Sequence, residues 1–85
     1  MKINLRFFAS VRETLDLSQE SLEVPADVTT VGAVRALLAA RGSVWAEALA
    51  PERSLRMAYN QIMCGPQTRL TEGCEVAFFP PVTGG

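Results

Sequence analysis

The sequence has no histidine, one lysine, one tryptophan and two cysteines among its 85 residues, and each scarcity removes a class of function. Without imidazole, the usual general base near neutral pH and the commonest metal ligand are both missing. Cys64 and Cys74 stand too isolated for a zinc site and too few for a disulfide framework, so inert thiols in a reducing compartment are expected. Eight basic residues, seven of them Arg, balance nine acidic ones to a net charge of -1. No basic stripe exists to neutralise phosphates, and nucleic acid is not an expected partner. The opening Met1-Lys2-Ile3-Asn4-Leu5-Arg6 is too charged for a signal peptide, and no run approaches the ~20 apolar residues of a membrane span. A soluble cytoplasmic chain with no membrane partner is expected.

What is present is one small domain, residues 1–85, with 48% hydrophobic residues. A chain of this length buries roughly 60–65% of its unfolded surface, enough for one core and little else. A deep cleft with a full catalytic set is therefore not expected. Ile3, Leu5 and Phe7 alternate with Asn4 and Arg6, the period-two pattern of a strand with one buried face. Ser10 and Glu13 are spaced as a short capping box for a marginal helical turn over 10–15. Glu20, Leu22 and Val24 alternate with Ser21 and Glu23 up to Pro25, which predicts a second, antiparallel strand.

The main helix is predicted over 30–42, with Thr30 as its cap and Val31, Val34, Leu37, Leu38 and Arg41 on one face. Gly42 suits the left-handed residue that follows, and Arg41 is placed to complement the helix dipole. A shorter helix can follow over 43–49, with Trp45 as a core plug. Leu55, Met57 and Tyr59, then Asn60-Gln61, then Ile62-Met63-Cys64 read as a hairpin. Val76 and Phe78 alternate with Ala77 and Phe79 in a last strand that stops at Pro80-Pro81. The expected order is strand, strand, helix, strand, strand, strand, an α+β domain with one main helix across a mixed sheet of about five strands.

Four of the six aromatic residues form two pairs, Phe7-Phe8 and Phe78-Phe79, at opposite ends of the chain. The pairing suggests that the first and last strands are neighbours, with Phe7 and Phe78 turned into the core and Phe8 and Phe79 outward. Two outward aromatics side by side make either a partner-binding patch or a surface hidden under a connecting segment. Beyond them lies an uncharged tail, Pro80-Pro81-Val82-Thr83-Gly84-Gly85. The proline pair favours an extended exit from the sheet, and Gly84 and Gly85 offer backbone without Cβ atoms, able to thread a narrow channel. A terminal carboxylate is a poor electrophile until an ATP-using partner converts it to an acyl-adenylate, and glycine then hinders attack least. A frayed, inert tail is the plain alternative.

The segments Leu5-Arg6-Phe7-Phe8-Ala9-Ser10-Val11-Arg12-Glu13 and Glu75-Val76-Ala77-Phe78-Phe79-Pro80-Pro81-Val82-Thr83-Gly84-Gly85 resemble the ubiquitin-like, β-grasp sulfur carriers of the molybdopterin synthase small-subunit family. Thr30-Val31, Asn60-Gln61 and Leu70-Thr71-Glu72-Gly73 match the same pattern, so the resemblance spans nearly the whole chain. One departure is Cys74, where the family commonly carries an acidic residue. The resemblance implies a β-grasp fold and a Gly85 carboxylate that an activating enzyme adenylates with ATP and sulfur transfer turns into a thiocarboxylate. The resemblance also implies a sulfurtransferase or cysteine desulfurase as the indirect source of the sulfur. Val82, Thr83 and Gly84, following Pro80 and Pro81, would thread into the large synthase subunit, where Gly85 gives its sulfur to cyclic pyranopterin monophosphate. Phe8 and Phe79 are the candidate docking patch in an assembly of two small and two large subunits. No permanently bound cofactor and no metal is implied, and the acids and bases would sit on the partners. A carrier for thiazole synthesis, a modifier attached to lysines and a plain interaction module with an inert tail are the competing functions.

Overall fold

The computed structural model describes residues 1–81. The elements are β1 (Lys2–Phe7), α1 (Ala9–Leu15), β2 (Gln19–Glu23), α2 (Val31–Ala39), α3 (Val44–Ala48), β3 (Arg56–Tyr59), β4 (Ile62–Cys64) and β5 (Glu75–Phe79). The five strands lie in the order β2-β1-β5-β3-β4. β1 and β5 pair in parallel and the other three pairs are antiparallel. The expected α+β domain with a mixed five-stranded sheet is thus present in the β-grasp arrangement, with the first and last strands adjacent at its middle. The helical turn expected over 10–15 and the short helix expected over 43–49 are present as α1 and α3, and α2 is the longest of the three.

The alternation in β1 has its predicted consequence, since Ile3, Leu5 and Phe7 are all buried. They meet Val76 and Phe78 of β5, Val31, Val34 and Leu38 of α2, Val11 and Leu15 of α1, and Ala48 and Leu49 at the end of α3 in one core. No polar or charged residue among the described ones is buried there. The core therefore rests on apolar burial, which is worth about 1.5–3 kcal/mol for each large side chain fully enclosed.

The start of α2 shows how local sequence and distant chain cooperate. The first N–H groups of a helix have no partner within it and must find one elsewhere. Thr30 Oγ1 accepts from the Ala33 N–H at 3.2 Å, as its position predicts. The Val31 and Gly32 N–H groups donate to the carbonyls of Thr68 and Pro66, at 2.9 and 2.8 Å. This loop can approach so closely because Gly32 has no side chain. A Cβ there would lie 2.9 Å from Pro66 Cβ and 3.0 Å from the Pro66 carbonyl oxygen. One turn further along the same side of α2, the Arg35 guanidinium donates to the carbonyls of Leu49 at 3.0 Å and Arg53 at 2.8 Å, and also to Ala50, and so clips the helix to the loop after α3. Burial lowers the Arg35 pKa, against a smaller opposing effect of Glu52.

Three local expectations are corrected. Ser10 lies inside α1 and is not its cap; the cap position belongs to Phe8, in extended conformation and without a side-chain hydrogen bond. The chain turns into the helix through Ala9 at φ +51°, and the cap lies two residues earlier than the capping-box spacing implies. Arg41 is not in the last turn of α2, which closes at Ala39 with Ala40 as its cap. Its guanidinium instead bonds both carboxylate oxygens of Glu20, at 3.0 and 2.6 Å, and lies 4.3 Å from the centroid of the Trp45 ring. The hydrogen bonds to Glu20 hold the Arg41 pKa above its ordinary value. Trp45 is half-buried, packing its edge against Phe7 at 5.8 Å as well as supporting Arg41, so it closes the core at its rim rather than plugging its centre.

The β3–β4 hairpin follows its sequence signal closely. Asn60 and Gln61 have φ +47° and +69°, both positive, as a two-residue turn matched to strand twist requires. Asn60 Oδ1 accepts from the Glu75 N–H at 2.9 Å, and the Asn60 N–H donates to the Glu75 carbonyl at 2.9 Å. The turn is thereby tied to the first residue of β5.

The close contact at Gly32 yields a prediction with a sign opposite to helix propensity. Gly32→Ala would ordinarily strengthen a helix by up to about 1 kcal/mol. Here the added methyl group collides with backbone and should destabilise the protein by about 1–3 kcal/mol. Denaturant unfolding checks this: a midpoint equal to or above that of the parent would refute the packing argument.

Candidate functional site: the outer face of the sheet

A strand shows alternate side chains to opposite faces, so the burial of Phe7 and Phe78 settles where their neighbours go. Phe78 is fully buried, while Phe79, at the end of β5, is half-buried on the face away from the helices. Phe8 follows directly after β1 and is 40% exposed. It therefore lies just beyond the first strand rather than within it. The two outer rings meet edge to face, with centroids 6.3 Å apart and planes at 84°. The parallel register that aligns Phe7 with Phe78 is what brings them together.

Beside this aromatic pair runs a floor of small residues. Ala77 on β5 stands opposite Ala58 on β3, and both belong to the outer face. Their exposures are only 4% and 7%, although neither belongs to the core cluster. The flanking side chains stand above them and leave a groove of about 440 Å³, lined by Phe8, Ala9, Ala58, Ala77, Phe79 and Pro80, with Gln61 and Glu75 at its margin. Met63 on β4 pairs with Ala58 and so belongs to the same face, 56% exposed. Sequence reasoning missed it. Its signal lay in the hairpin register, because a two-residue turn at Asn60-Gln61 assigns Met63 to the side of Ala58.

Of the expected site residues, the structure brings Phe8, Phe79 and Pro80 to one groove and leaves Pro81 half-buried just beyond it. Val82, Thr83, Gly84 and Gly85 lie outside the described residues. Cys64 is half-buried on β4, Cys74 is buried, and both are free thiols. Among the described residues no group of three or more His, Cys, Asp or Glu side chains is placed to hold a metal ion. No helix among them is long and apolar enough to cross a membrane. The arrangement is that of an adhesive face at the root of the tail: an aromatic pair, a shallow apolar floor and a flexible methionine, the features of a surface that docks another protein.

A five-stranded β-grasp sheet with adjacent terminal strands and an apolar outer face, in a sequence that carries Gly84-Gly85, defines a ubiquitin-like domain. The chain belongs to the ThiS family, which it matches over residues 5–85. It is 47% identical, over 83 residues, to the molybdopterin synthase sulfur carrier subunit of Escherichia coli K12, covering 98% of this chain and 99% of that protein. The Haemophilus influenzae Rd protein of the same name is 40% identical over 83 residues, with the same coverage of both. A solved chain from the protein–protein complex of subunits 1 and 2 of the Helicobacter pylori molybdopterin-converting factor superposes with a TM-score of 0.69. It is 23% identical and the match covers 100% of both chains, a likeness of fold.

The two faces of β5 predict opposite responses to the same kind of truncation. Phe78→Ala should cost about 3–5 kcal/mol of stability, the usual loss for a fully buried phenylalanine. Phe79→Ala, one residue away, should cost less than about 1.5 kcal/mol, because it removes a partly exposed ring from the outer face. Thermal or denaturant unfolding of the two variants compares them directly, and equal losses would show that Phe79 belongs to the core.

Proposed function

We propose that this chain is the sulfur carrier subunit of a molybdopterin synthase, with the Gly85 carboxyl group as the carrier of sulfur. The observation that carries the reading is 47% identity over nearly the full length to a protein of that name. The outer-face groove at the root of the tail agrees with it. In the proposed cycle the Gly85 carboxylate attacks the α-phosphorus of ATP in an adenylating enzyme and pyrophosphate leaves. A persulfide sulfur, supplied from a sulfurtransferase or cysteine desulfurase, then attacks the activated carbonyl and AMP leaves; a thiol of the partner cleaves the resulting acyl disulfide, forming a disulfide itself and releasing the thiocarboxylate.

The carrier next docks on the large synthase subunit through Phe8, Phe79 and Met63, while Pro80 and Pro81 direct Val82, Thr83, Gly84 and Gly85 toward the partner's active site. There the thiocarboxylate delivers sulfur to cyclic pyranopterin monophosphate, and two deliveries complete the dithiolene. The division of labour has a physical basis. The chain has no histidine, and its reactive group is a carboxyl terminus that needs activation, so the acids and bases of both steps belong to the partners. An assembly of two small and two large subunits and a cytoplasmic location, where Cys64 and Cys74 stay reduced, complete the reading.

Two measurements test it. Intact-mass analysis of the chain co-expressed with its activating enzyme should show the replacement of one oxygen by sulfur at the carboxyl terminus. Lysine-linked conjugates without that species would instead identify a modifier, and full function after removal of Gly85 would leave an interaction module. In the second measurement, one residue added after Gly85 should abolish sulfur transfer with the unfolding midpoint unchanged, because the reactive carbon is displaced. Normal transfer by the extended chain would sink the mechanism.

A further inference from the structure

Beside the docking groove stands a cation that enters no ion pair among the described residues. Arg6 is half-buried on the outer face of β1, its guanidinium carbon 5.4 Å from the centroid of the Phe8 ring that lines the groove. Its Nε is enclosed and has no hydrogen-bond partner among the described residues. The residues beside it in the sheet are Gln19 on β2 and Ala77 on β5, neither of them acidic. The two ion pairs among the described residues are formed elsewhere, by the Met1 amino group with Glu23 and by Arg41 with Glu20. Glu75, two positions from Ala77 and at the groove margin, enters neither of them.

This placement constrains whatever docks. Phe8 and Arg6 are stacked, so a partner that covers the ring also strips water from the guanidinium. An arginine buried without a counter-ion is strongly unfavourable, whereas the same group met by a carboxylate gains short, charge-assisted and often bidentate hydrogen bonds. The aromatic ring holds the cation in place beforehand, so little freedom is lost when the pair forms. We propose that Arg6 is a specificity-determining residue of the docking face, receiving an aspartate or glutamate side chain from the protein that seats on the Phe8–Phe79 groove. The inference rests on the docking role given to that groove above and adds the chemistry its partner must present. A partner surface that is apolar opposite Phe79 but lacks an acid opposite Arg6 is rejected by the same contact that an acidic one rewards.

The experiment is titration calorimetry of the full chain against the large subunit of molybdopterin synthase at low and high salt, with three variants. Arg6→Met keeps much of the apolar stem and removes the charge; it should weaken binding about tenfold at low salt and flatten the salt dependence. Arg6→Glu should weaken it further, and Phe79→Ala should weaken it at both salt concentrations alike. Should both Arg6 variants bind as the parent does, or more tightly, while Phe79→Ala loses affinity, the ion pair is refuted and the docking face stands. If Phe79→Ala also binds as the parent does, the docking face falls, and the proposal with it. Thermal unfolding of Arg6→Met within a few degrees of the parent separates a lost contact from a lost fold.

Discussion

The parallel pairing of β1 with β5 is the constraint on which the rest of this molecule depends. It places the first and last strands at the middle of the sheet, so the largest buried side chains, Phe7 and Phe78, come from opposite ends of the sequence and share one core. The same register carries the next residue of each strand to the other face and makes Phe8 and Phe79 touch. Stability and the proposed docking thus use adjacent residues of one ladder. A slip of a single residue would exchange the two roles, pushing Phe8 or Phe79 inward and leaving a core phenylalanine in water.

Around that ladder, the remaining elements hold β5 where it is. Asn60 bonds the backbone of Glu75 through both its side chain and its own N–H, which fixes where β5 begins. The 66–68 loop caps α2 with its carbonyls, and Gly32 allows that approach. Arg35, one turn along the helix from Gly32, fastens it to the chain that leads toward β3. None of these groups stands in the outer-face groove, yet each narrows the range of positions from which the tail can depart. Preorganisation of this kind suits a carrier, because a carrier's partner receives the tail from a fixed direction and spends less binding energy on ordering it.

The features legible in the sequence were those written in short-range patterns. Ile3, Leu5 and Phe7 alternate, Thr30 stands before a helical run, and Asn60-Gln61 sits between two apolar stretches; each is a local signal with a local cause. The split of the Phe pairs between faces was equally readable, because it follows from the period of a strand. Other features depend on partners distant in sequence. Ser10 has the right spacing for a cap but lies inside the helix, since the chain already turns at Phe8 and Ala9. Arg41 has the right charge for a helix end but finds Glu20 and Trp45 instead. Met63 is not legible because a three-residue edge strand has too little alternation to declare its face, and Arg6 because only a structure shows that it stacks on Phe8 and enters no ion pair among the described residues.

The central position of β5 also has a consequence for the order of events during synthesis. Every part of the outer face that contains aromatic contact needs residues as late as Phe79, while the strand they pair with is made first. A growing chain halted before β5 holds neither the Phe8–Phe79 pair nor the complete alanine floor. Under the docking role proposed above, recognition is therefore also an inspection: a partner that reads this face engages chains only after both ends have met, so unfinished or unfolded copies are passed over without any separate proofreading step.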